Sequence, residues 1–372
     1  MTGRIAAMPV SCVGRKKAEL DTPVLLVDLD RMEANIATIA GACRAAGISW
    51  RPHFKGIKVP AISLRAIAAG AIGITCAKLG EAEVAAAAGI RDILVANQVV
   101  TPLKMERLAR LRRSADPIVA VDDAGNVDAL GAAARRAGVV LRVVIEVDIG
   151  MRRAGVLPGA PVVALARRIA STQGLSFSGV MGWEAQAVGI ADPAEKERCV
   201  AEAIALLAGS ARDCAGAGLP CAIVSCGGTG TIRYTMHQPG VTEIQAGGGM
   251  LSDMRYTTSM HADLPPALTI LATVTSRPTP TRIICDAGRK AMSADGINPM
   301  PIGLGAIARL SFSAEHSTIE LEAPSATPRI GDTVEFVAGY GDTTVHMHDT
   351  LYGVRDGVVE VEWPVLARGK LA

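Results

Sequence analysis

Side chains that could do chemistry follow a series of short apolar runs in this sequence. The polar residues that come after these runs are Lys55, Lys78 and Glu81, Asn97, Asp122, Asp148 and Arg153, and Glu184. Two glycine-rich stretches follow later runs, Gly227 to Gly230 and Gly247 to Gly249. Glycine lets backbone N–H groups approach an anion closely, so such stretches can cradle a phosphate. An amine, several carboxylates and a phosphate cradle together indicate a site for a small phosphorylated molecule.

The apolar runs themselves predict eight β-strands. They are Ser49 to His53, Gly73 to Cys76, Ile93 to Ala96, Ile118 to Val121, Arg142 to Val147, Phe177 to Gly182, Ala222 to Ser225 and Glu243 to Ala246. Amphipathic, alanine-rich segments separate them, among them Arg31 to Ala46, Pro60 to Ala69 and Asp192 to Ala217. This alternation is typical of parallel strands joined by helices, and eight strands favour a closed (β/α)8 TIM barrel over an open sheet. Barrel enzymes place their active sites at the carboxyl ends of the strands, where the polar residues lie.

The pattern changes after about Met260 to proline-rich turns and β-leaning runs with little helical periodicity. These runs are Leu268 to Val274, Arg282 to Cys285, Ala306 to Phe312, Thr318 to Leu321, Thr333 to Val337 and Gly357 to Trp363. They predict a mainly antiparallel β domain. We therefore expect an N-terminal segment over residues 1–28 that pairs with this domain, a barrel over 29–262 and the β domain over 263–372.

The composition limits the functional classes. The chain has 372 residues, of which 49% are hydrophobic, and a formal net charge of +2 without a long basic run. These values exclude a disordered chain and give no sign of binding to nucleic acid or to an anionic membrane, so the expected partner is a small molecule. The cysteines are scattered without a CxxC pair, and no run reaches the roughly 18 apolar residues that span a bilayer. We expect reduced thiols and a cytoplasmic protein.

Several motifs of the chain match, in order, those of one group of enzymes. They are Asp21 to Pro23, Arg51 to Lys55, Cys76 to Lys78, Val147 to Gly150 with Arg153 and Gly155, Cys226 to Gly230, Thr242 to Gly247, and Asp286 to Gly288 with Lys290. The sequence resembles the D-threonine aldolase and D-serine dehydratase family of fold-type III pyridoxal phosphate (PLP) enzymes, and the run at 51–55 is its most specific piece. The resemblance implies an alanine-racemase-like barrel that binds PLP. It also implies a homodimer whose β domains complete the sites.

The resemblance gives each matching residue a role. Lys55 matches the lysine that holds PLP as a Schiff base, and Arg153 matches the arginine that faces the pyridine nitrogen and keeps it unprotonated. The cofactor-binding loops correspond to Cys226, Gly228, Thr229, Gly247 and Gly248. His53 is a further candidate catalytic residue, and we expect it, with Arg51, to lower the pKa of Lys55 and make the amine a better nucleophile. The alternative for Arg51 is a salt bridge on the rim of the barrel.

The chain departs from the family where metal-dependent members hold a divalent ion. Those members carry a His-x-Asp or His-x-Cys pair in the β domain, and the corresponding stretch here runs from Tyr340 to Asp342. A second family histidine, after the sixth strand, corresponds to Glu184. The nearby His346 and His348 suggest a ligand pair, but His348 matches a separate His-Asp pair of the family. A single carboxylate is a poor site for a transition metal, so we expect no metal, with Asp342 as the ligand if one binds.

Without a metal, another group must handle the hydroxyl of the substrate. Glu184 is a candidate proton acceptor because burial beside Trp183 would raise its pKa. Tyr340 is the other candidate, since its hydroxyl can donate or relay a proton. The alternative for Glu184 is a structural ion pair with Arg142 or Arg153.

Three functions stay open at this point. The first, which the sequence favours, is metal-independent retro-aldol cleavage of a small D-3-hydroxy amino acid. The second is dehydration or racemisation, which begins with loss of the Cα proton to Lys55; loss of a metal weakens dehydration most, because expelling hydroxide benefits from a Lewis acid. The third is a non-catalytic PLP carrier, and the C-terminal β domain argues against it because such carriers lack one.

Overall fold

The computed structural model describes residues 11–372, which form two β-sheets with helices packed around one of them. Residues 1–10 lie outside this range, and with them the first part of the segment 1–28 that is expected to pair with the β domain. Within the range, strands and helices alternate first and strands dominate later. No described helix is both long enough and apolar enough to cross a lipid bilayer.

The described residues form seventeen strands and nine α-helices. The strands are β1 (Val24–Asp28), β2 (Ser49–Trp50), β3 (Ile74–Cys76), β4 (Asp92–Gln98), β5 (Asp116–Val121), β6 (Leu141–Glu146), β7 (Leu175–Met181), β8 (Ile223–Cys226), β9 (Glu243–Ile244), β10 (Leu268–Thr279), β11 (Arg282–Cys285), β12 (Met300–Pro301), β13 (Ile307–Phe312), β14 (Ser317–Leu321), β15 (Thr333–Val337), β16 (Thr350–Arg355) and β17 (Val358–Pro364). The α-helices are α1 (Leu29–Ala45), α2 (Pro60–Ala68), α3 (Leu79–Ala87), α4 (Pro102–Leu111), α5 (Ala124–Ala137), α6 (Ala160–Ser171), α7 (Pro193–Gly216), α8 (Ile232–Thr235) and α9 (Gly341–Thr344). Single turns of 3-10 helix lie at Lys17–Glu19, Ala185–Ala187, Gly248–Met250 and Val345–Met347, and a π-helical turn lies at Arg255–Ser259.

Strands β2 to β9 form a parallel sheet in the order β2-β9-β8-β7-β6-β5-β4-β3. A bridge between His53 and Thr75 joins the two ends of this order. Phe54 N donates to Thr75 O at 2.7 Å, and Thr75 N donates to Pro52 O at 2.9 Å. The predicted (β/α)8 barrel is thereby confirmed within the described residues, and its closing seam lies directly beside Lys55.

Alternate residues of the barrel strands face two different layers. In β4, Ile93 and Val95 belong to the large apolar cluster that includes the surrounding helices. Leu94 lies between them in sequence and packs instead with Ile118 and Val144 of the neighbouring strands, in a separate cluster. Because both faces are buried, such strands are continuous apolar runs, which is why the sequence predicts them. Full burial of each side chain of this size contributes about 1.5–3 kcal/mol to the free energy of unfolding.

The second sheet gathers strands from before and after the barrel. Its main path is β13-β14-β11-β10-β1-β16-β17, with β15 paired to β10 and β12. Strand β1 lies antiparallel to β10 and parallel to β16, with Leu25 opposite Ile270 and Leu351. The sequence does not predict β12 or β16, because β12 contains Pro301 and β16 contains Gly353, and both residue types weaken a strand pattern.

The two sheets are linked where the chain leaves the barrel. Met254 N donates to Ala338 O and Arg255 N donates to Gly339 O, both at 3.0 Å. These bonds hold the segment that follows β15 against the barrel. Tyr340, the next residue of that segment, lines a cavity at the carboxyl ends of the barrel strands.

Candidate active site

This cavity has a volume of about 350 Å³. Of the residues that the sequence predicts for the site, it brings together His53, Lys55, Arg153, Gly228, Thr229, Gly247, Gly248 and Tyr340. Cys226, Glu184 and Asp342 lie outside its lining. Strand ends therefore locate the cavity, while the direction of each side chain decides which residues face it.

Lys55 stands on the loop that follows β2, and its side chain is 46% exposed. Its Nζ lies 3.4 Å from Oδ2 of Asp342. Lys58, on the same loop, is buried and paired with Glu81 at 2.5 Å. Because it lines the cavity and is accessible, Lys55 is the lysine of this loop in position to bind a carbonyl compound.

His53 borders the cavity next to this lysine. Its Nδ1 accepts a hydrogen bond from the backbone N–H of Lys55 at 3.3 Å. Burial, followed by the positive charge of Lys55, holds the pKa of His53 well below its usual range. The imidazole is therefore neutral, so it adds no positive charge beside the amine.

Arg51 does not take the place expected for it beside the lysine. Its guanidinium is 2% exposed and binds the carboxylate of Glu243 at 3.0 Å and that of Asp92 at 2.8 Å. Two carboxylates in direct contact offset its charge. Arg51 thus serves a buried ion-pair network and not the cavity.

Arg153 lines the cavity and is held by a small polar network. Its Nη2 lies 3.4 Å from Oε1 of Glu146, a buried residue. The side-chain amide of Gln98 donates to Glu146 at 2.6 Å and to Asp122 at 3.1 Å. These contacts fix a permanent cation on the cavity wall, which is the chemistry required of an arginine that faces a pyridine nitrogen.

The glycines at the predicted phosphate cradle leave no room for a side chain. A Cβ at Gly228 would collide with the indole ring of Trp183, and one at Gly248 would collide with the phenol of Tyr256. Glycine is required here because backbone and large aromatic rings must approach each other closely. Both loops therefore bring their backbone to the wall of the cavity, which Gly228 and Gly248 line.

The residues present fit PLP. Within the described part of the chain, the backbone N–H groups of Gly230 and Gly248 have no protein partner, and both residues line the cavity. Unpaired N–H groups on glycine-rich loops bind anions such as phosphate. The loops would hold the phosphate, Lys55 the carbonyl carbon and Arg153 the ring nitrogen.

Glu184 follows β7, but its carboxylate serves the glycine-rich loop after β8. Its Oε1 accepts hydrogen bonds from the hydroxyls of Thr231 at 2.7 Å and Thr235 at 2.6 Å. Its Oε2 accepts a hydrogen bond from Gly227 N at 3.2 Å. The residue is fully buried, and burial raises the pKa of the carboxyl against the opposing effect of these bonds.

This placement differs from both expectations for Glu184. The carboxylate does not line the cavity, and the two arginines considered as partners bind elsewhere, Arg142 to Asp116 and Arg153 to Glu146. The physical reason is that three donors already use the carboxylate oxygens, two from the loop after β8 and one, Thr235, from α8. Glu184 thus shapes the loop that would hold the phosphate.

We expect Glu184→Gln to weaken PLP binding without removing a proton-transfer step. Glutamine keeps the shape but presents one acceptor oxygen to three donors, so the loop from Gly227 to Gly230 shifts. A buried hydrogen bond left unmade costs about 1–3 kcal/mol, so the PLP dissociation constant should rise roughly 10- to 100-fold. Absorbance titration of the apoprotein with PLP measures this. Unchanged PLP affinity with turnover reduced by about 10²–10⁴-fold would return Glu184 to an acid–base role.

Cys226 ends β8 directly before the glycine-rich loop, and its thiol lies outside the cavity lining. The residue is 1% exposed and packs in the large apolar cluster. Burial raises the pKa of its thiol well above the usual range, so the thiol is neutral. The predicted contact of Cys226 with a cofactor is therefore not available to its side chain.

The β domain brings Tyr340 and Asp342 to the site. Oδ1 of Asp342 accepts a hydrogen bond from the hydroxyl of Tyr256 at 3.4 Å, and Oδ2 lies beside Lys55. The guanidinium of Arg255 lies 4.5 Å from the ring centroid of Tyr340. Burial, followed by the negative charge of Asp342, raises the pKa of Tyr340 above its usual range. The phenol of Tyr340 thus stays protonated and can donate a hydrogen bond.

The side chains in contact with Asp342 include Lys55 and Tyr256, which are poor ligands for a divalent metal. Among the described residues, no three His, Cys, Asp or Glu side chains form a group that could hold an ion. His348 is engaged elsewhere, with Nε2 2.6 Å from the carbonyl oxygen of Ala291.

Sequence reasoning does not single out Glu146, Tyr256 or Asp253. Glu146 is the last residue of β6 and would be found by examining polar residues inside strand ends as well as after them. Tyr256 and Asp253 follow the last barrel strand in a segment without periodicity, so no sequence signal marks them. Burial raises the pKa of Asp253 to about 7, with a smaller contribution from the charge of Asp342.

Comparison with known proteins gives matches along the whole fold. The family model of the alanine racemase N-terminal domain matches residues 27–253, and that of a serine dehydratase domain matches residues 267–354. A D-threonine aldolase of an Arthrobacter species is 35% identical over 369 residues, which cover 98% of this chain and 97% of that protein. A D-threo-3-hydroxyaspartate dehydratase of a Delftia species is 36% identical over 287 residues, 74% of this chain and 73% of the dehydratase.

A solved structure agrees with these matches. The crystal structure of D-threonine aldolase from Filomicrobium marinum has a TM-score of 0.94 to this chain at 34% identity. The similarity covers 98% of this chain and 100% of that one, so it includes the barrel, the β domain and their junction.

Proposed function

Because the chain belongs to the D-threonine aldolase and D-serine dehydratase family of PLP enzymes, we propose that it cleaves a small D-3-hydroxy amino acid to glycine and an aldehyde without a metal ion. Membership of this family makes the chain a PLP-dependent lyase. The observation that carries the choice of reaction is the place of Asp342. It puts a carboxylate next to the amine at which the cofactor would be held.

Asp342 is suited to accept the proton of the substrate hydroxyl. Its side chain is 11% exposed, and its oxygens lie 3.4 Å from the amine of Lys55 and 3.4 Å from the hydroxyl of Tyr256. A carboxylate at this distance from the amine is within reach of a small molecule bound there. This assignment moves the role proposed for Glu184 to a carboxylate that contacts the cavity residues.

The proposed step conserves atoms and electrons. The carboxylate of Asp342 takes the proton of the β-hydroxyl, the electron pair of the broken O–H bond forms the second C–O bond of the aldehyde, and the Cα–Cβ bond breaks. Its electron pair passes to Cα, where PLP, when bound, supplies the delocalised system that stabilises it. Cα then receives a proton, which gives glycine and completes the two products.

Other residues of the cavity hold and orient the reacting groups. The protonated phenol of Tyr340 donates a hydrogen bond to the hydroxyl oxygen as it becomes a carbonyl. The neutral imidazole of His53 packs beside Lys55 without adding charge. Arg153 keeps a cation on the cavity wall, held there by Glu146.

Two features support independence from a metal. Tyr340 stands where metal-dependent members of the family carry a histidine, and a protonated phenol is a poor ligand. Asp342 accepts the hydrogen bond of the Tyr256 hydroxyl at 3.4 Å, so the carboxylate has a protein partner without an ion. The described residues offer no alternative group of ligands.

Product analysis with and without a chelator tests the proposal. Purified protein with PLP is incubated with a panel of D- and L-amino acids, including 3-hydroxy amino acids, while aldehyde, keto acid and enantiomeric purity are followed separately. We expect glycine and aldehyde from D-substrates, with most of the turnover retained after exhaustive chelation. Keto acid as the main product would instead favour dehydration, and loss of enantiomeric purity would favour racemisation. Activity lost to the chelator and restored by manganese or zinc would overturn metal independence.

A further inference from the structure

We propose that Asp253 is a positioning residue that holds Asp342 in place for the reaction, acting through the backbone of Gly341. The inference rests on the proposed function, in which Asp342 accepts the proton of the substrate hydroxyl. Asp253 does not line the cavity, and both of its carboxylate oxygens are taken by backbone N–H groups. Its effect must therefore pass through the residues that it binds.

Asp253 is a buried carboxylate on the barrel side of the junction, 1% exposed. Both of its oxygens accept hydrogen bonds, Oδ1 from Tyr256 N at 3.0 Å and Oδ2 from Gly341 N at 2.5 Å. One carboxylate thus joins the barrel segment that carries Tyr256 to the β-domain segment that carries Asp342. These are the two segments whose side chains meet in the Tyr256–Asp342 hydrogen bond.

The fit around Gly341 is close. A Cβ at this position would lie 3.1 Å from Oδ2 of Asp253 and 3.2 Å from Leu268. The backbone one residue before Asp342 is therefore fixed by a hydrogen bond on one side and by packing on the other. A shift of the Asp253 carboxylate would move the start of α9, and with it the carboxylate of Asp342.

Cohesion of the two domains does not depend on this carboxylate. The same segments are already linked by the backbone bonds of Met254 to Ala338 and Arg255 to Gly339. The side-chain bond of Asp253 reaches two residues further along the β-domain segment, to Gly341. Because Gly341 directly precedes Asp342, this bond is better placed to align Asp342 than to attach the β domain to the barrel.

The test is Asp253→Asn in the PLP-loaded enzyme. Asparagine has one side-chain oxygen and one NH2 group, so its NH2 group must face the N–H of either Tyr256 or Gly341. Two donors then face each other, and the Gly341 segment shifts. A misplacement of this kind costs on the order of 10²-fold in rate, and we expect kcat to fall by that factor while KM and PLP affinity stay close to the parent values. Because Asp342 lies beside Lys55, the pH midpoint of the cofactor absorption band should also move. A merely structural aspartate would not move that midpoint.

Asp286→Asn is the matched control. Asp286 is a partly buried β-domain aspartate that accepts hydrogen bonds from Thr273 N at 2.8 Å and from the hydroxyl of Thr22 at 2.6 Å, and it does not line the cavity. Its replacement should alter thermal stability without changing kcat or the absorption band. An equal loss of kcat in both variants would show a general effect of weakening the β domain and would overturn the proposal.

A double-mutant cycle with Asp342→Asn separates this inference from the proposed function. If Asp253 acts through Asp342, adding Asp253→Asn to Asp342→Asn causes little further loss of kcat. Normal turnover of Asp342→Asn alone would reject the proposed function. Loss of turnover in Asp342→Asn with full activity in folded Asp253→Asn would reject only the positioning role.

A second variant keeps the test open if Asp253→Asn does not fold. Gly341→Ala disturbs the hydrogen bond between residue 341 and Asp253 from the β-domain side, because the added Cβ would lie 3.1 Å from Oδ2 of Asp253. We expect the same pattern, a lower kcat and a shifted band midpoint with PLP retained. Parent-like kinetics in a folded Gly341→Ala variant would contradict the proposal.

Discussion

Lys55→Ala is expected to abolish both the visible absorption of the PLP-loaded protein and its turnover. Lys55 is the accessible amine of its loop, whereas Lys58 is buried against Glu81. Loss of a residue that bonds covalently in catalysis can cost on the order of 10⁶-fold in kcat, so activity should fall below detection. The absorption spectrum and an aldehyde assay, run on the same preparation, measure the two effects.

Lys78→Ala is the control for this experiment. Lys78 follows the neighbouring strand β3 and is exposed outside the cavity lining, so its loss should leave spectrum and turnover unchanged. Borohydride reduction of the parent enzyme should trap the cofactor on Lys55. A reduced adduct at Lys58 or Lys78, or a visible band retained in Lys55→Ala, would contradict the assignment.

Asp342→Asn should lower kcat by about 10²–10⁴-fold, the usual contribution of a positioned general base, while PLP stays bound. Asparagine keeps the size of the side chain and can still accept the hydrogen bond of Tyr256, but it cannot take a proton. Steady-state kinetics on the best D-3-hydroxy amino acid measure the loss, and the absorption band reports the cofactor.

Asp349→Asn provides a matched control from the same part of the β domain. Its side chain is 80% exposed and paired with Arg368, outside the cavity lining, so its loss should leave kcat unchanged. If Asp342→Asn turns over like the parent enzyme, the proton acceptor is another group, and Tyr340 becomes the next residue to replace.

The barrel can be predicted from the sequence because its buried strands are runs of apolar residues. The run from Leu141 to Glu146 is buried on both faces, so its pattern does not depend on which neighbours it meets. β16 is different, because it contains Gly353 and pairs not only with the next strand β17 but also with β1, which lies near the other end of the chain. The pattern of residues within a short stretch of sequence does not reveal pairing with a distant strand.

The cofactor side of the site is likewise readable from the sequence, since strand ends and glycines mark Lys55, Arg153 and the two loops. Side-chain direction is not readable. Glu184 stands at a strand end, but its carboxylate is bound by three donors from the next loop and from α8 and lies outside the cavity lining. Asp253 and Tyr256 lie in an aperiodic segment, and only the contact with the β domain gives them a role.

The junction between the two sheets also separates the residues that would bind the cofactor from those proposed to act on the substrate. The groups that would hold the cofactor come from the barrel, whereas Tyr340 and Asp342 come from a single short turn of the β domain. Under the roles proposed for Tyr340 and Asp342, exchanging a few residues in that turn would change the reaction while the barrel still binds the cofactor. For an engineer, the same three-residue turn is the place to install a metal ligand or a different acid, and the barrel can be left as it is.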